Sequence, residues 1–432
     1  MEVFSIDPFL SQASLNENHY IFEERDGTVT FASDSVDCKV SARINWLPSP
    51  QAELICEFDR ALFEALHEQA YASLNVSELS EDIENLVISS ANIELLQEKS
   101  QCVFTLGSTP QTIHFVRPCS FAVVHVVNFK KTLSTSWTLE DSDWKISFRD
   151  AFETSTAKKE AYRTLKAKGG FSFTHYGILQ RKGGENFTPS DAEQILEILR
   201  RFLTFSNGSW CAPSFAIGFD ESSDIVWQQW GFGREKSFGS GLRNWFHPHH
   251  SDELEMVFRG FSELCKTPEW NTLIKHLIYW YNVANQRGIG QDALIVLIQA
   301  ALEELCWFAL PDEMQKSEMH EQLRELIKSL KIPPSIPDSL GALQAAASAI
   351  KRKHGQNIDG PKLFTEARNN VVHPKPKRVA SHMKGNTLFE CYLLGMWYLE
   401  MWLLKQSGFE GMYSNRCLYG GFDDARLVPW AS

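Results

Sequence analysis

The stretch Leu388 to Lys405, LFECYLLGMWYLEMWLLK, constrains the fold of this chain more than any other. A helix with so many large apolar side chains has no polar face to turn to water. It must lie inside a membrane or inside a protein. A bilayer span needs about 20 consecutive apolar residues, and here Glu390 and Glu400 interrupt the run. Two carboxylates make it a poor membrane span and a plausible buried helix, surrounded by other elements. The chain start, MEVFSIDPFLSQ, has Glu2 before any basic residue and no long apolar run, so it does not resemble a secretory signal. A cytoplasmic protein with no membrane partner is expected.

The chain has 432 residues, too many for one ordinary core, and two or three domains are expected. Residues 1–150 carry short β-branched or aromatic segments bounded by turn residues, among them GTVTFAS, QCVFTLG, TIHFVRP and FAVVHVVNF. They predict a β-rich, sandwich- or barrel-like domain, with helical interruptions at RALFEALHEQAYASL and EDIENLVISSANIELLQE. Residues 151–266 form a mixed α/β region that continues or packs with this module. SDAEQILEILRRFLTF there opens with Ser190 and Glu193, a capping-box pair ahead of a helical apolar series. Residues 267–432 are almost continuous helix pattern, cut by Gly288, Gly290, Pro311, IPPSIPD, Pro361 and HPKPKR. The fold class is therefore α+β multidomain, a β-rich N-terminal region followed by an all-α helical bundle.

Nine cysteines without a close pair suggest buried, reduced thiols rather than a zinc site or a disulfide framework. The formal net charge of -12 argues against a protein that coats nucleic acid indiscriminately. One basic island stands out. Between Lys351 and Lys384, nine Lys and Arg side chains face only Asp359 and Glu366.

Within that island lies TEARNNVVHP. Pro361 suits a first helical turn and Pro374 disfavours helix at the residue before it, so the helix should run from Pro361 to Val372. At 100° per residue, Phe364, Ala367, Val371 and Val372 share one broad face, and Arg368 falls within that arc. Such an arginine faces another helix, a second subunit or a bound anion. His373 follows about 7.5 Å further along the axis, at the fraying end. The pair could converge on one phosphate. In DALIVLIQAALEELCWFAL, Gln299, Glu303 and Glu304 break an otherwise apolar helix, and a carboxylate there should find a partner, with Arg368 or His373 the obvious choices.

The spacing R-N-N-V-V-H-P, late in a helical bundle, resembles the signature of the HEPN superfamily, over roughly residues 268 to 410. The resemblance implies a HEPN-type bundle that dimerises and cleaves RNA, tRNA or mRNA, with no metal and no cofactor. It implies catalytic roles for Arg368, Asn369 and His373, with Glu303 in support, and RNA contacts from Lys375, Lys377 and Arg378. His373 would act as general base or acid, Arg368 would hold the scissile phosphate, and Asn369 would orient either one. The layout is similar to ApeA-type bacterial abortive-infection nucleases. That likeness implies an anti-phage effector with an N-terminal sensing module and a phage-derived trigger. The alternative is a non-catalytic HEPN-like dimerisation or RNA- or partner-binding protein. RNWFHPHH, from Arg243 to His250, has similar letters at shorter spacing in a loop-like context and reads as coincidence, with His247, His249 and His250 a weaker metal-hydrolase option. RVASH, from Arg378 to His382, reads as a solvated basic loop. His276 reads as a satisfied, partly buried histidine, and Trp280 and Tyr281 as packing residues.

Overall fold

The computed structural model describes residues 19–31, 34–59, 71–76, 83–93, 99–106, 111–115, 117–130, 132, 134–152, 154–239, 243–250, 252–373, 385–418 and 424–431. They fall into two compact units, Met1–Leu203 with Trp210–Gly239, and Thr204–Ser209 with Ser240–Ser432. The N-terminal part is rich in strands and the C-terminal part is helical. The units divide at Gly239, and Thr204–Ser209 group with the second.

In the first unit, β1 (His19–Phe31), β2 (Asp34–Asn45), β3 (Gln51–Asp59), β4 (Tyr71–Val76), β5 (Ile83–Ile93) and β6 (Lys99–Thr105) close a barrel in the order β1-β2-β3-β6-β5-β4. Closure runs through β1, which pairs with both β2 and β4. At Gly27 a side chain would lie 2.7 Å from Val40 and 2.8 Å from the Asn75 carbonyl, so glycine lets the two strands approach. Of the two expected helical interruptions, EDIENLVISSANIELLQE contains β5 at Ile83–Ile93 instead, because cross-strand pairing with β4 and β6 overrides its local helix tendency, and its remaining residues lie outside the described ones. For the other, RALFEALHEQAYASL, residues 60–70 lie outside the described residues and Tyr71 begins β4.

The remaining strands, β7 (Gln111–Phe115), β8 (Phe121–Val127), β9 (Ser136–Glu140), β10 (Trp144–Asp150), β11 (Phe173–Arg181), β12 (Pro213–Phe219) and β13 (Ile225–Trp230), form an antiparallel sheet in the order β7-β13-β12-β8-β11-β10-β9. β8 is central and buried almost throughout, which explains its unbroken apolar run, whereas β10 alternates. Trp46, Val40 and Phe104 of the barrel share one core with Phe173, Phe215 and Phe232 of the sheet region.

Two helices flank these strands. α1 (Ser155–Lys168) has no apolar signature, because its buried face carries Lys158 with Tyr162 and Leu165. The Lys158 ammonium is satisfied by Asp150 at 2.7 Å and the Thr132 carbonyl at 3.0 Å. α2 (Pro189–Asn207) starts one residue before the expected cap. The reciprocal box is Thr188 with Asp191 (2.9 and 3.2 Å), not Ser190 with Glu193, since Pro189 has no N–H to lose in the first turn.

The second unit contains α3 (Glu253–Cys265), α4 (Pro268–Ala284), α5 (Gln291–Ala309), α6 (Asp312–Gln315), α7 (Met319–Ser329), α8 (Gly341–His354), α9 (Gly360–Val372) and α10 (Asn386–Gln406). It is not purely helical. A short hairpin, β14 (Met412–Ser414) and β15 (Ala425–Leu427), follows α10, and its three-residue strands are too short to show alternation in sequence. α10 carries the run from Leu388 and packs against α3, α5, α8 and α9. No described helix is long and apolar enough to cross a membrane. All nine cysteines are buried and none forms a disulfide.

Both glutamates of α10 are buried and used. Glu390 accepts the Leu343 N–H at 2.8 Å, satisfying an open donor in the first turn of α8. Glu400 and Arg416 are each 0% exposed and joined by two N–H···O bonds (2.8 and 2.5 Å). Tyr281 (2.8 Å) and the Trp245 N–H (3.2 Å) complete the carboxylate. Asn285 and Tyr392 accept from the remaining guanidinium nitrogen, each at 3.3 Å. Burial opposes the arginine's charge, yet Glu400 and the surrounding acceptors hold its pKa well above the ordinary value. Removing one partner leaves an uncompensated buried charge. Arg416→Met should therefore lower stability in urea unfolding by about 3–5 kcal/mol, and adding Glu400→Gln should recover most of that loss. A double variant as unstable as the single one would refute this account.

Candidate active site

α9 is built from its first residue. Asp359 is extended, its carboxylate accepts the Lys362 N–H at 3.0 Å, and Arg324 of α7 holds the same carboxylate at 2.5 and 3.2 Å. The pair pins the helix start to α7 and neutralises one of the two acidic groups in the basic island. Leu363, Phe364 and Ala367 are buried in the face that packs on α5, α7 and α10. A side chain at Gly395 of α10 would collide with the Phe364 ring and lie 2.9 Å from Ile298 of α5. Three helices thus converge one turn before Arg368 and one residue before Gln299.

Arg368 is half-buried on this helix. One terminal nitrogen donates to Asn369 Oδ1 at 3.2 Å, while Nε is buried without an acceptor. Among the described residues no carboxylate pairs with it. A buried N–H of a cation without an acceptor is costly, so the packing leaves one donor of a positive charge open. Val372 differs from expectation, being 40% exposed. It lies about 80° around the helix from Phe364, beyond the packed arc, whereas Val371 is half-buried.

His373 caps the helix with its backbone N–H on the Asn369 carbonyl at 2.9 Å and its ring exposed. Asn369 thereby touches both neighbours, Arg368 through its side chain and His373 through its backbone. Lys375, Lys377 and Arg378, with the RVASH stretch, lie outside the described residues. Elsewhere in the island, Lys351, Arg352, Lys353 and His354 form an exposed basic last turn of α8.

Glu303 does not take the partner expected for it. It accepts from Gln299 Nε2 at 2.6 Å, one turn earlier on α5, and it pairs with neither Arg368 nor His373 among the described residues. Gln299 is buried and its Oε1 has no donor among the described residues. Helices α5 and α9, which pack together, therefore each carry a polar group left incomplete by the fold. Gln299 stands out in the sequence beside Glu303, but which of its amide atoms finds a partner depends on the packing around α5. Glu304 pairs with His276 at 2.6 Å, and His276 is exposed rather than partly buried. Tyr281 is fully buried.

Asp424 accounts for the RNWFHPHH look-alike. It lies 3.1 Å from Arg243 and 3.6 Å from His247, while Asn244 donates to the Phe205 and Ser206 carbonyls that end α2. Its arginine, asparagine and first histidine serve structure. No cluster of His, Cys, Asp and Glu suited to a metal occurs among the described residues.

Residues 267–423 match a family model described as the YopA C-terminal domain, and residues 118–238 one described as the YopA central domain. The central match covers β8 to β13 with α1 and α2; β1 to β7 precede it. Over 328 residues the chain is 29% identical to the SPbeta prophage-derived uncharacterized protein YopA of Bacillus subtilis (strain 168), spanning 74% of this chain and 70% of that one. No solved structure matches.

An unpartnered buried amide oxygen costs stability that an apolar side chain of similar length would not. Gln299→Met should leave the unfolding free energy unchanged or raise it by up to about 1 kcal/mol in denaturant titration. A loss of more than about 1 kcal/mol would mean that Oε1 is satisfied in solution.

Proposed function

We propose that the C-terminal helical unit is a HEPN-type, metal-independent endoribonuclease. The observation that supports this best is Arg368, a half-buried cation with no carboxylate partner among the described residues and a buried Nε without an acceptor. It sits five residues before an exposed histidine at the end of the same helix. A phosphodiester supplies the acceptors that the guanidinium lacks, bidentately and with charge. A histidine can accept or give a proton nearby.

In this reading the RNA 2'-oxygen attacks the adjacent phosphorus and the bond from phosphorus to the 5'-oxygen breaks. His373 takes the 2'-hydroxyl proton or gives one to the departing 5'-oxygen. Arg368, steadied by Asn369, stabilises the charge gathering on the phosphate oxygens. With one histidine per candidate site, base and acid come from two copies, whose α9 helices would line one cleft. The products are a 2',3'-cyclic phosphate and a 5'-hydroxyl, and DNA, without the 2'-hydroxyl, is inert. The prophage origin named for the Bacillus relative supports a place in conflict between phages and their hosts. The N-terminal unit would then restrain the nuclease until a trigger appears.

With EDTA present, the purified protein should cut labelled tRNA or mRNA. Arg368→Ala and His373→Ala should each lower the rate by about 100-fold or more with melting temperature unchanged. Equal amounts of the two variants should recover partial activity if the cleft is composite. Uncut RNA that is still bound would favour the non-catalytic alternative, and cleavage that ignores His373 would refute the assignment.

A further inference from the structure

The first unit carries a group of positive charges to which no role has been attached. α1 contains Lys158, Lys159, Arg163, Lys166 and Lys168 against a single glutamate, in a chain of net charge -12. Lys158 is buried on Asp150, and Arg163 meets Glu160 at 3.1 Å. Lys166 and Lys168, exposed in the last turn, form no ion pair among the described residues. The segment after β13 adds two more cations. Arg234 and Lys236 are exposed, while Glu235 between them is 7% exposed, so the alternation turns both bases outward and the carboxylate inward. Neither base has an ion-pair partner among the described residues; the Arg234 guanidinium lies 5.9 Å from the centre of the Trp210 ring.

The fold ties the two segments together. Asn128, just beyond β8, has a left-handed backbone (φ 57°), which asparagine tolerates. Its Nδ2 donates to the carbonyls of Gly170 and Lys236, each at 2.9 Å. The Gly170 N–H donates to the Ser237 hydroxyl at 2.8 Å, and the Phe238 N–H to the Gly170 carbonyl at 3.0 Å. Lys168 stands two residues before Gly170. Lys166 lies one turn after Tyr162, whose ring meets Phe238 at 5.7 Å. Four cations without ion-pair partners are thus gathered around one joint.

A helix dipole favours lysines in the last turn of α1. It does not account for Arg234 and Lys236, which stand on a segment outside any helix. Like charges held close together repel, and a partner carrying several negative charges relieves all of them at once. Arg234 and Lys236 also line a cavity of about 410 Å³, together with Ser49, Gln51 and Trp210. A flat bilayer surface leaves such a hollow unfilled, whereas a flexible chain of phosphodiesters can follow it. We infer that this part of the first unit binds single-stranded RNA through its phosphates, with Lys166, Lys168, Arg234 and Lys236 as the contacts. The choice of RNA rests on the proposed nuclease activity of the second unit; the choice of a polyanion rests on the four cations. Such contacts hold a strand without reading its bases, so binding is indifferent to sequence.

Fluorescence anisotropy of a labelled single-stranded RNA on the full chain carrying His373→Ala, with the RNA checked to be intact, tests this. Lys168→Glu and Lys236→Glu alter exposed side chains and should each weaken binding by about fivefold or more at low salt. Each should also make the dependence of log Kd on log salt shallower by about 0.7. Lys266→Glu changes the charge of the second unit equally, and should leave affinity within about twofold because the added charge is distant and screened. Unchanged affinity in both first-unit variants, an equal loss in Lys266→Glu, or capture by phosphatidylserine vesicles without RNA binding would each overturn the assignment. RNA cut by the wild type but bound regardless of both lysines would refute this contact and leave the nuclease standing. RNA bound through both lysines but never cut would refute the nuclease and leave this contact standing.

Discussion

The helical unit depends on one ion pair that water never reaches. Glu400 lies near the end of a helix that is otherwise nearly all apolar, and Arg416 returns from the segment beyond it to neutralise it. Neither charge is tolerable alone at that depth, since desolvation of a single buried ion outweighs any packing gain there. Their remaining hydrogen-bonding capacity is taken up by Trp245, Tyr281, Asn285 and Tyr392, and Asn285 in turn donates to the Gly208 carbonyl at 2.7 Å. Segments far apart in the chain thus share one condition, that all of them arrive together. Such a network contributes less to net stability than to specifying a single arrangement of α10.

From α10 the consequence passes to the candidate site. α5, α8 and α9 pack on it, and Glu390 caps α8 from its other end. Gly395 removes the side chain that would keep Phe364 and Ile298 apart. With α9 held there and its start clamped by Arg324 on Asp359, Arg368 is carried into partial burial with no carboxylate to meet it among the described residues. The incomplete solvation of its Nε follows from the placement of its helix, and it is this that supports the proposed phosphate contact.

Much of this was legible along the chain. Proline marked the start of α9, glycines and prolines marked most helix boundaries, and central strands announced themselves as apolar runs. Elements without a local pattern were not legible. α1 buries a lysine where an apolar residue would signal its face, and β5 looked helical until β4 and β6 paired with it. The Thr188–Asp191 box replaced the one a residue or two further on because both spacings satisfy the same rule. At the candidate site, Arg368, Asn369 and His373 stood out by spacing alone. The separation of Glu303 from Arg368 did not, because a carboxylate four residues from a glutamine on its own helix can turn either way.

By itself, then, the sequence determined most of the helix boundaries in the second unit and that the Leu388 run lies within protein. These are local properties, set by periodicity, chain breakers and side-chain chemistry over a few turns. Only the tertiary structure decided that the described strands before Asp150 divide between a barrel and a sheet, that Glu400 is answered by Arg416, and that Arg368 Nε finds no acceptor among the described residues. The partner of a charge is whatever packing brings within about 4 Å of it, and packing is settled between residues that the chain places far apart.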